Sequence, residues 1–198
     1  QEMETKAFLV IKNDSIIYEK YFDGYSESSK SNSFSMAKSI VVTLLGKAIM
    51  EGKIESLDQP VSDFFDQYST GFGESLTVGD LASMSSGMAW NEKYYSIINI
   101  TTESYFSEDL RSLILNQDII KTPGEKFRYS SGDTQLLGMV IEKATGTNIS
   151  DYVRSQFTNP MGFENQALWQ LDSEKSGMEK VYCCFASNAK DFARFGKL

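Results

Sequence analysis

Ser35-Met36-Ala37-Lys38 sets a hydroxyl and an amine three residues apart. On a helix, residues at that spacing share a face, with Cβ atoms about 5–6 Å apart and side chains in reach of each other. A serine in this position becomes a nucleophile if the lysine takes its proton. The chain has no histidine. A Ser-His-Asp triad and a histidine-based metal site are therefore excluded, and proton transfer must fall to lysine or tyrosine. The spacing occurs again at Ser187-Asn188-Ala189-Lys190. That copy runs into Asp191, Phe192, Ala193, Arg194 and Phe195, which read as an amphipathic surface helix with Ser187 as its N-cap.

What distinguishes Ser35 is its setting, because short patterns also arise by chance. The run SMAKSIVVTLLGKAIMEGK carries Met36, Ala37, Ile40, Val41, Val42, Leu44, Leu45, Ala48, Ile49 and Met50. These cover most of a helix circumference and predict a buried helix, closed near Gly52. Lys38, Gly46 and Lys47 interrupt it, and it is too short to span a bilayer. Ser35 is then at a helix N-terminus, where free amides and the helix dipole favour developing negative charge. Lys38 faces inward one turn deeper. Buried lysines are rare and need a reason, and burial makes an amine easier to deprotonate.

The second candidate is Tyr129-Ser130-Ser131, between a Pro123-Gly124 turn and a helix predicted from Asp133 to Ala144. A phenol in a loop leading into a helix can point into a cleft and share a proton with a lysine. Tyr94-Tyr95-Ser96 and Tyr105-Phe106-Ser107 repeat the Tyr-x-Ser pattern and read as packing tyrosines.

These residues must be carried by a chain of 198 residues, 41% of them hydrophobic, enough for one large domain or two small ones. The net charge of −8 argues against nucleic acid and anionic membranes as partners. Cys183 and Cys184 are adjacent, offer neither a disulfide framework nor a metal spacing, and read as two partly buried thiols. No signal-peptide pattern or membrane-spanning stretch is read in these residues, and the start at Gln1 rather than Met is compatible with a removed leader. Asn99-Ile-Thr101 and Asn148-Ile-Ser150 fit the glycosylation sequon.

The predicted elements are a hairpin of 7–11 and 15–21 around Asn13-Asp14, a serine-rich loop over 26–33, and the Ser35 helix. A short segment follows Pro60. A capping box at Thr77–Asp80 starts a helix through Leu81 and Met84 that ends at Gly87. Helices follow over 107–116 and 133–144, the latter closed by Gly146, and another is capped by Ser150. Two strands followed by mostly helices leave the hairpin short of sheet partners, and an isolated hairpin is marginal in water.

Taken together, the motifs resemble the serine beta-lactamase and penicillin-binding-protein-like superfamily, in its class C-like branch. The resemblance rests on Phe34-Ser35-Met36-Ala37-Lys38-Ser39, on Gly52-Lys53-Ile54 through Leu57-Asp58-Gln59-Pro60-Val61, and on Leu76-Thr77-Val78-Gly79-Asp80-Leu81 with Ser85-Ser86-Gly87. It continues through Pro123-Gly124, Phe127-Arg128-Tyr129-Ser130 and Leu137-Gly138 to Asp191-Phe192-Ala193-Arg194-Phe195-Gly196. It implies an α+β fold, an α/β sandwich with an antiparallel sheet plus a helical domain. Residues 1–34 would form the sheet hairpin and loop, 35–52 the nucleophile helix, 60–165 a mostly helical part, and 166–198 a return toward the sheet. Ser35 would be the acylated nucleophile, with Lys38 and Tyr129 sharing general-base and general-acid work. Ser131 would be a substrate-binding position, where the family usually has asparagine. That replacement, with Trp169-Gln170-Leu171-Asp172, is more similar to 6-aminohexanoate-oligomer hydrolases and related esterases.

The expected activity is hydrolysis of an ester or amide through an acyl-enzyme, with no metal and no cofactor. A beta-lactamase or DD-peptidase is the alternative, and a non-catalytic binding module the third reading. The resemblance also implies an extracytoplasmic location. The family's Lys/His-x-Gly segment is expected beyond Leu198, so a further segment is expected to complete a sheet that here cannot bury Phe8, Val10, Ile16 and Tyr18.

Overall fold

Asn13 and Asp14 adopt left-handed backbone conformations, with φ of 49° and 62°, the two-residue geometry that matches the twist of a hairpin. They join β1 (Ala7–Lys12) to β2 (Ser15–Tyr21) in an antiparallel pair with an irregularity between Val10 and Ile11. The computed structural model describes residues 4–94, 96 and 98–198. Among them the hairpin is a sheet by itself, packed on one side by α7 (Ala189–Phe195). Phe8, Ile16 and Tyr18 remain about half exposed.

A second antiparallel sheet has the order β3-β5-β4, built from Ser31–Asn32, Phe185–Ser187 and Leu168–Trp169. The serine-rich loop therefore ends in a strand, because Ser31 and Asn32 pair with Ser187 and Ala186. The chain then makes a 3₁₀ turn over Phe34–Met36 before α1 (Ala37–Met50) begins. Ser35 thus precedes the α-helix proper. The helix is also more one-sided than its composition predicts. Ile40, Val41, Leu44 and Leu45 are buried, whereas Met36, Val42 and Met50 are exposed.

Helix α5 (Ser131–Thr145) is the centre of the core, against which α1, α2 (Val78–Ala82) and α4 (Leu110–Leu115) pack. Every residue from Ser131 to Ile141 is buried, and Gly146 closes the helix at φ 68°. The capping box at Thr77–Asp80 forms, but α2 stops at Ala82 because Met84 turns left-handed at φ 55°. The helix predicted over 107–116 begins only after Asp109, whose carboxylate caps it. Helix α3 (Ile100–Phe106), capped by Asn99, is unpredicted. Helix α6 (Ile149–Val153) is capped by Asn148 and α7 by Asn188. The expected caps Ser150 and Ser187 are thereby corrected, since Asn148, two residues earlier, and Asn188, one residue later, take the amide instead.

Gly87 has φ of 73°, and a Cβ there would collide with the backbone carbonyl of Lys121. Gly46, inside α1, faces open space. Gly87→Ala is expected to lose roughly 2 kcal/mol or more, from backbone strain plus a clash that backbone cannot relieve. Gly46→Ala should gain about 0.5–1 kcal/mol from helix propensity. Urea denaturation of the two variants against the parent measures both.

Candidate active site

Ser35 is aimed by a conformation that most residues avoid. Phe34, just before it, has φ of 46°, and left-handed backbone costs a non-glycine residue about 1–2 kcal/mol. The Asn32 side chain holds the turn by accepting the Phe34 amide at 2.8 Å. The Ser33 amide donates to the Phe185 carbonyl at 2.8 Å, so the serine hangs from β5.

Lys38 lies in the first turn of α1 and is 6% exposed. Its Nζ donates to the Tyr182 carbonyl at 2.7 Å and to Ser35 Oγ at 3.4 Å. It also sits 5.1 Å from the centre of the Tyr129 ring and 5.8 Å from that of Tyr182. No carboxylate among the described residues forms an ion pair with it. Both hydrogen-bond partners are neutral.

The Tyr182 carbonyl is placed by α5. The Gln135 side chain donates to the Glu179 carbonyl and accepts the Val181 amide, each at 2.9 Å. Gly138 admits Val181 so closely that a Cβ would meet its methyl at 2.5 Å. The indole of Trp169 donates to the carbonyls of Lys180 at 3.0 Å and Cys183 at 2.7 Å. Burial, partly offset by the Ser104 hydroxyl, pushes the Tyr182 phenol up to about 12.

Tyr129 precedes the cap of α5 and is 38% exposed. Among the described residues its ring packs over the lysine, but its hydroxyl bonds to neither Ser35 nor Lys38. Its position is set by Asp133. That carboxylate accepts from Ser130 Oγ at 2.5 Å and from the Ser86 amide at 3.3 Å. The Arg128 amide donates to the Met84 carbonyl at 2.8 Å. Ser131 is 2% exposed and lies on the cavity beside Ser35.

That cavity, about 370 Å³, brings Ser35, Lys38 and Ser131 together with Phe34, Thr101, Thr102, Tyr105, Phe106, Tyr94, Tyr182 and Cys183. Two of the tyrosines read as packing residues, Tyr94 and Tyr105, therefore face the site. Tyr95 lies outside the described residues. The second Ser-x-x-Lys pair does not assemble. Ser187 is buried in β5 and bonds to Asp191, while Lys190 pairs with Glu19 and Glu27.

Glu92 was not legible as a site residue. Its carboxylate accepts the indole of Trp90 at 2.9 Å, the Thr101 hydroxyl at 3.4 Å and the backbone amide of Ser131. It thus caps α5 from a distant loop, a contact with no local sequence signal. Burial and then the Glu92 carboxylate raise the Tyr94 phenol well above its ordinary range. Cys183 and Cys184 are also corrected. They form a disulfide between neighbours, with Cα atoms 3.8 Å apart. The left-handed backbone of Cys184, φ 69°, accompanies this pairing.

The beta-lactamase family model matches residues 1–197, and the chain belongs to the beta-lactamase family. The 6-aminohexanoate-dimer hydrolase of Paenarthrobacter ureafaciens is 22% identical over 213 aligned positions, which take in 100% of this chain and 52% of that protein. Among solved structures, a candidate 6-aminohexanoate-dimer hydrolase from Bacillus anthracis superposes with a TM-score of 0.85 at 22% identity, over 98% of this chain and 53% of its own. A penicillin-binding protein from Bacillus halodurans gives a TM-score of 0.77 at 16% identity, over 96% and 68%. The chain thus spans about half the length of the hydrolases it matches. The fold is the beta-lactamase/transpeptidase-like one expected, a mixture of helices and antiparallel sheets. No helix among the described residues is long and apolar enough to cross a membrane.

Burial pushes the Asp133 carboxyl from 3.8 up to about 6, against the opposing hydrogen bonds of Ser130 and Ser86. The folded chain therefore holds this proton more tightly than the unfolded one. Its contribution to stability is complete below about pH 4 and is lost as pH rises through 6. Asp133→Asn should remove that portion of the pH dependence, at most roughly 3 kcal/mol. Denaturation of parent and variant at pH 4 and pH 7 should show their stability difference changing between the two; a constant difference would contradict the assignment.

Proposed function

We infer that the protein is a serine hydrolase acting on ester or amide bonds through an acyl-enzyme on Ser35. The observation that carries this reading is the buried Lys38 amine, held between Ser35 Oγ and the Tyr182 carbonyl under the Tyr129 ring. Lys38 takes the Ser35 proton as Oγ attacks the substrate carbonyl carbon. The oxyanion forms beside Ser35, where the positive end of the α1 dipole favours it. The Tyr129 hydroxyl gives a proton to the leaving group, and the bond to that group breaks. A water then gives a proton to Tyr129 and attacks the acyl carbon, the bond from Ser35 to that carbon breaks, and Lys38 returns its proton to Oγ.

Membership of the beta-lactamase family and likeness to hydrolases support this chemistry. The place of Ser131 on the cavity supports the substrate contact assigned to it. A hydroxyl there cannot present the amide that asparagine would offer to a lactam side chain. We therefore favour small esters and linear amides over penicillins, since a site lacking a matched hydrogen-bond partner discriminates strongly.

Incubating the full-length protein with a fluorophosphonate should give one adduct, mapped by mass spectrometry to Ser35. Ser35→Ala should abolish both labelling and hydrolysis, whereas an adduct on Ser187 would overturn the reading. Lys38→Ala and Tyr129→Phe should each lower kcat/KM by about 10²–10⁴-fold. The double variant should lose little more, because groups acting as a unit do not add; additive losses would separate their roles. Turnover of p-nitrophenyl acetate should exceed that of nitrocefin by kcat/KM, and Ser131→Asn should shift the ratio toward the lactam. The reverse preference would instead support a penicillin-recognising enzyme.

A further inference from the structure

Both chemical groups of the site are tied to one short stretch of chain. The Tyr182 carbonyl accepts from Lys38, and the Phe185 carbonyl accepts from the amide of Ser33, two residues before Ser35. Between these anchors lie Cys183 and Cys184, joined through their sulfurs. Ring closure between neighbours restricts the backbone, and Cys184 is held in the left-handed region that a side chain seldom occupies unaided. Outside the ring, the Trp169 indole and the Gln170 amide bond the carbonyls of Cys183 and Cys184 at 2.7 and 3.1 Å. Those contacts keep the segment docked on β4 whatever the state of the sulfurs.

We propose that the Cys183–Cys184 disulfide is a positioning element for Lys38 and Ser35, and that a small dithiol entering the substrate cavity releases it and slows catalysis. The proposal rests on the reading of Ser35 and Lys38 given above. With the bond closed, the Tyr182 carbonyl and β5 keep fixed separation and direction, so the amine and the hydroxyl meet in one geometry. With it open, the torsions between Cys183 and Cys184 are released, and the two anchors, each still held by its own bonds, can shift against each other. Displacements of about 1 Å in a reacting geometry cost up to roughly 10²-fold in rate.

The exchange balances as follows. A thiolate of the dithiol attacks Cys183 Sγ, the sulfur-bearing residue that lines the cavity. The protein S–S bond breaks, a mixed disulfide forms, and Cys184 leaves as a thiolate and takes a proton. The dithiol's second sulfur, as thiolate, then displaces Cys183, which is protonated in turn, and the reagent closes its own disulfide. Two electrons and two protons have passed from dithiol to protein. Cys184 is buried, so the cavity is the path to the bond, and an acyl group on Ser35 should shield it.

The test uses the full-length protein with dithiothreitol as the dithiol and p-nitrophenyl acetate as the substrate, without denaturant. Untreated protein should take up no iodoacetamide at these positions, and treated protein should take up two. On reduction, kcat should fall by about tenfold or more, within the range expected of a small displacement. KM should hold, and reoxidation with oxidised glutathione should restore the rate. Phosphonylation of Ser35 beforehand should protect the bond from reduction. The double variant Cys183→Ser, Cys184→Ser should show the lower rate with and without reductant. Equal kcat in both redox states, or alkylation of both cysteines in untreated protein, would overturn the proposal. So would a rise in KM with kcat unchanged, or an equal response of the double variant to dithiothreitol. If the double variant does not fold, the reduction and reoxidation of the parent decide. Full activity in Ser35→Ala would remove the hydrolase reading itself. Loss of activity there, with a kcat indifferent to reduction, removes only the role of the disulfide.

Discussion

An amine withdrawn from water must find its hydrogen bonds in protein, and Lys38 finds them in one carbonyl and one hydroxyl. The rest of the site is organised around that requirement. The carbonyl belongs to Tyr182, a residue outside regular structure, and such a residue holds its direction only if its neighbours are bonded. Gln135, Val181 packed on Gly138, and the Trp169 indole supply those bonds. The core helix α5 thus acts on the lysine through a strip of chain that it touches with its buried face.

The same helix places Tyr129 and Ser131. Its first turn receives two carboxylates: Asp133, which accepts from Ser130 Oγ within the turn, and Glu92, which accepts the Ser131 amide from the loop before α3. Negative charge at a helix N-terminus is favourable, and here it is also a fastening. Asp133 ties the turn to Ser86, and Glu92 ties it to Trp90 and Thr101. Tyr129 and Ser131 flank Ser130, the cap these contacts fix. Their positions relative to Lys38 therefore follow from packing on both sides of one helix end.

Elements governed by neighbours in the chain were legible in the sequence. The Asn13-Asp14 hairpin, the Thr77–Asp80 capping box and the helix that follows Ser35 each rest on contacts within a few residues. Ser35 and Lys38 belong to this group, since a single helical turn makes them meet. Residues that act through distant contacts were not legible. Glu92 has no periodicity around it, and Tyr105 shows its role only once α3 lies on the cavity. Asn148 and Asn188 took caps expected of Ser150 and Ser187, because a carboxamide accepts the amide three residues on equally well. The cysteine pair was misread for a different reason. Adjacent cysteines in extended or helical backbone hold their sulfurs apart, and here the pairing goes with a left-handed Cys184.

Helix α3 supplies Thr101, Thr102, Tyr105 and Phe106 to one wall of the cavity, and Asn99 holds its first turn. The Asn99 carboxamide oxygen accepts the amides of Thr101 and Thr102 at 2.7 and 3.1 Å, while its nitrogen donates to the carbonyls of Lys93 and Ser96. Both hydrogens of that nitrogen are engaged. A sugar attached there would take the place of one of them and put its bulk where the carbonyls of Lys93 and Ser96 meet the helix start. Asn99 fits the acceptor sequon, so production in a host that glycosylates secreted chains would compete with the formation of this wall. Material made in a host without that pathway would keep it.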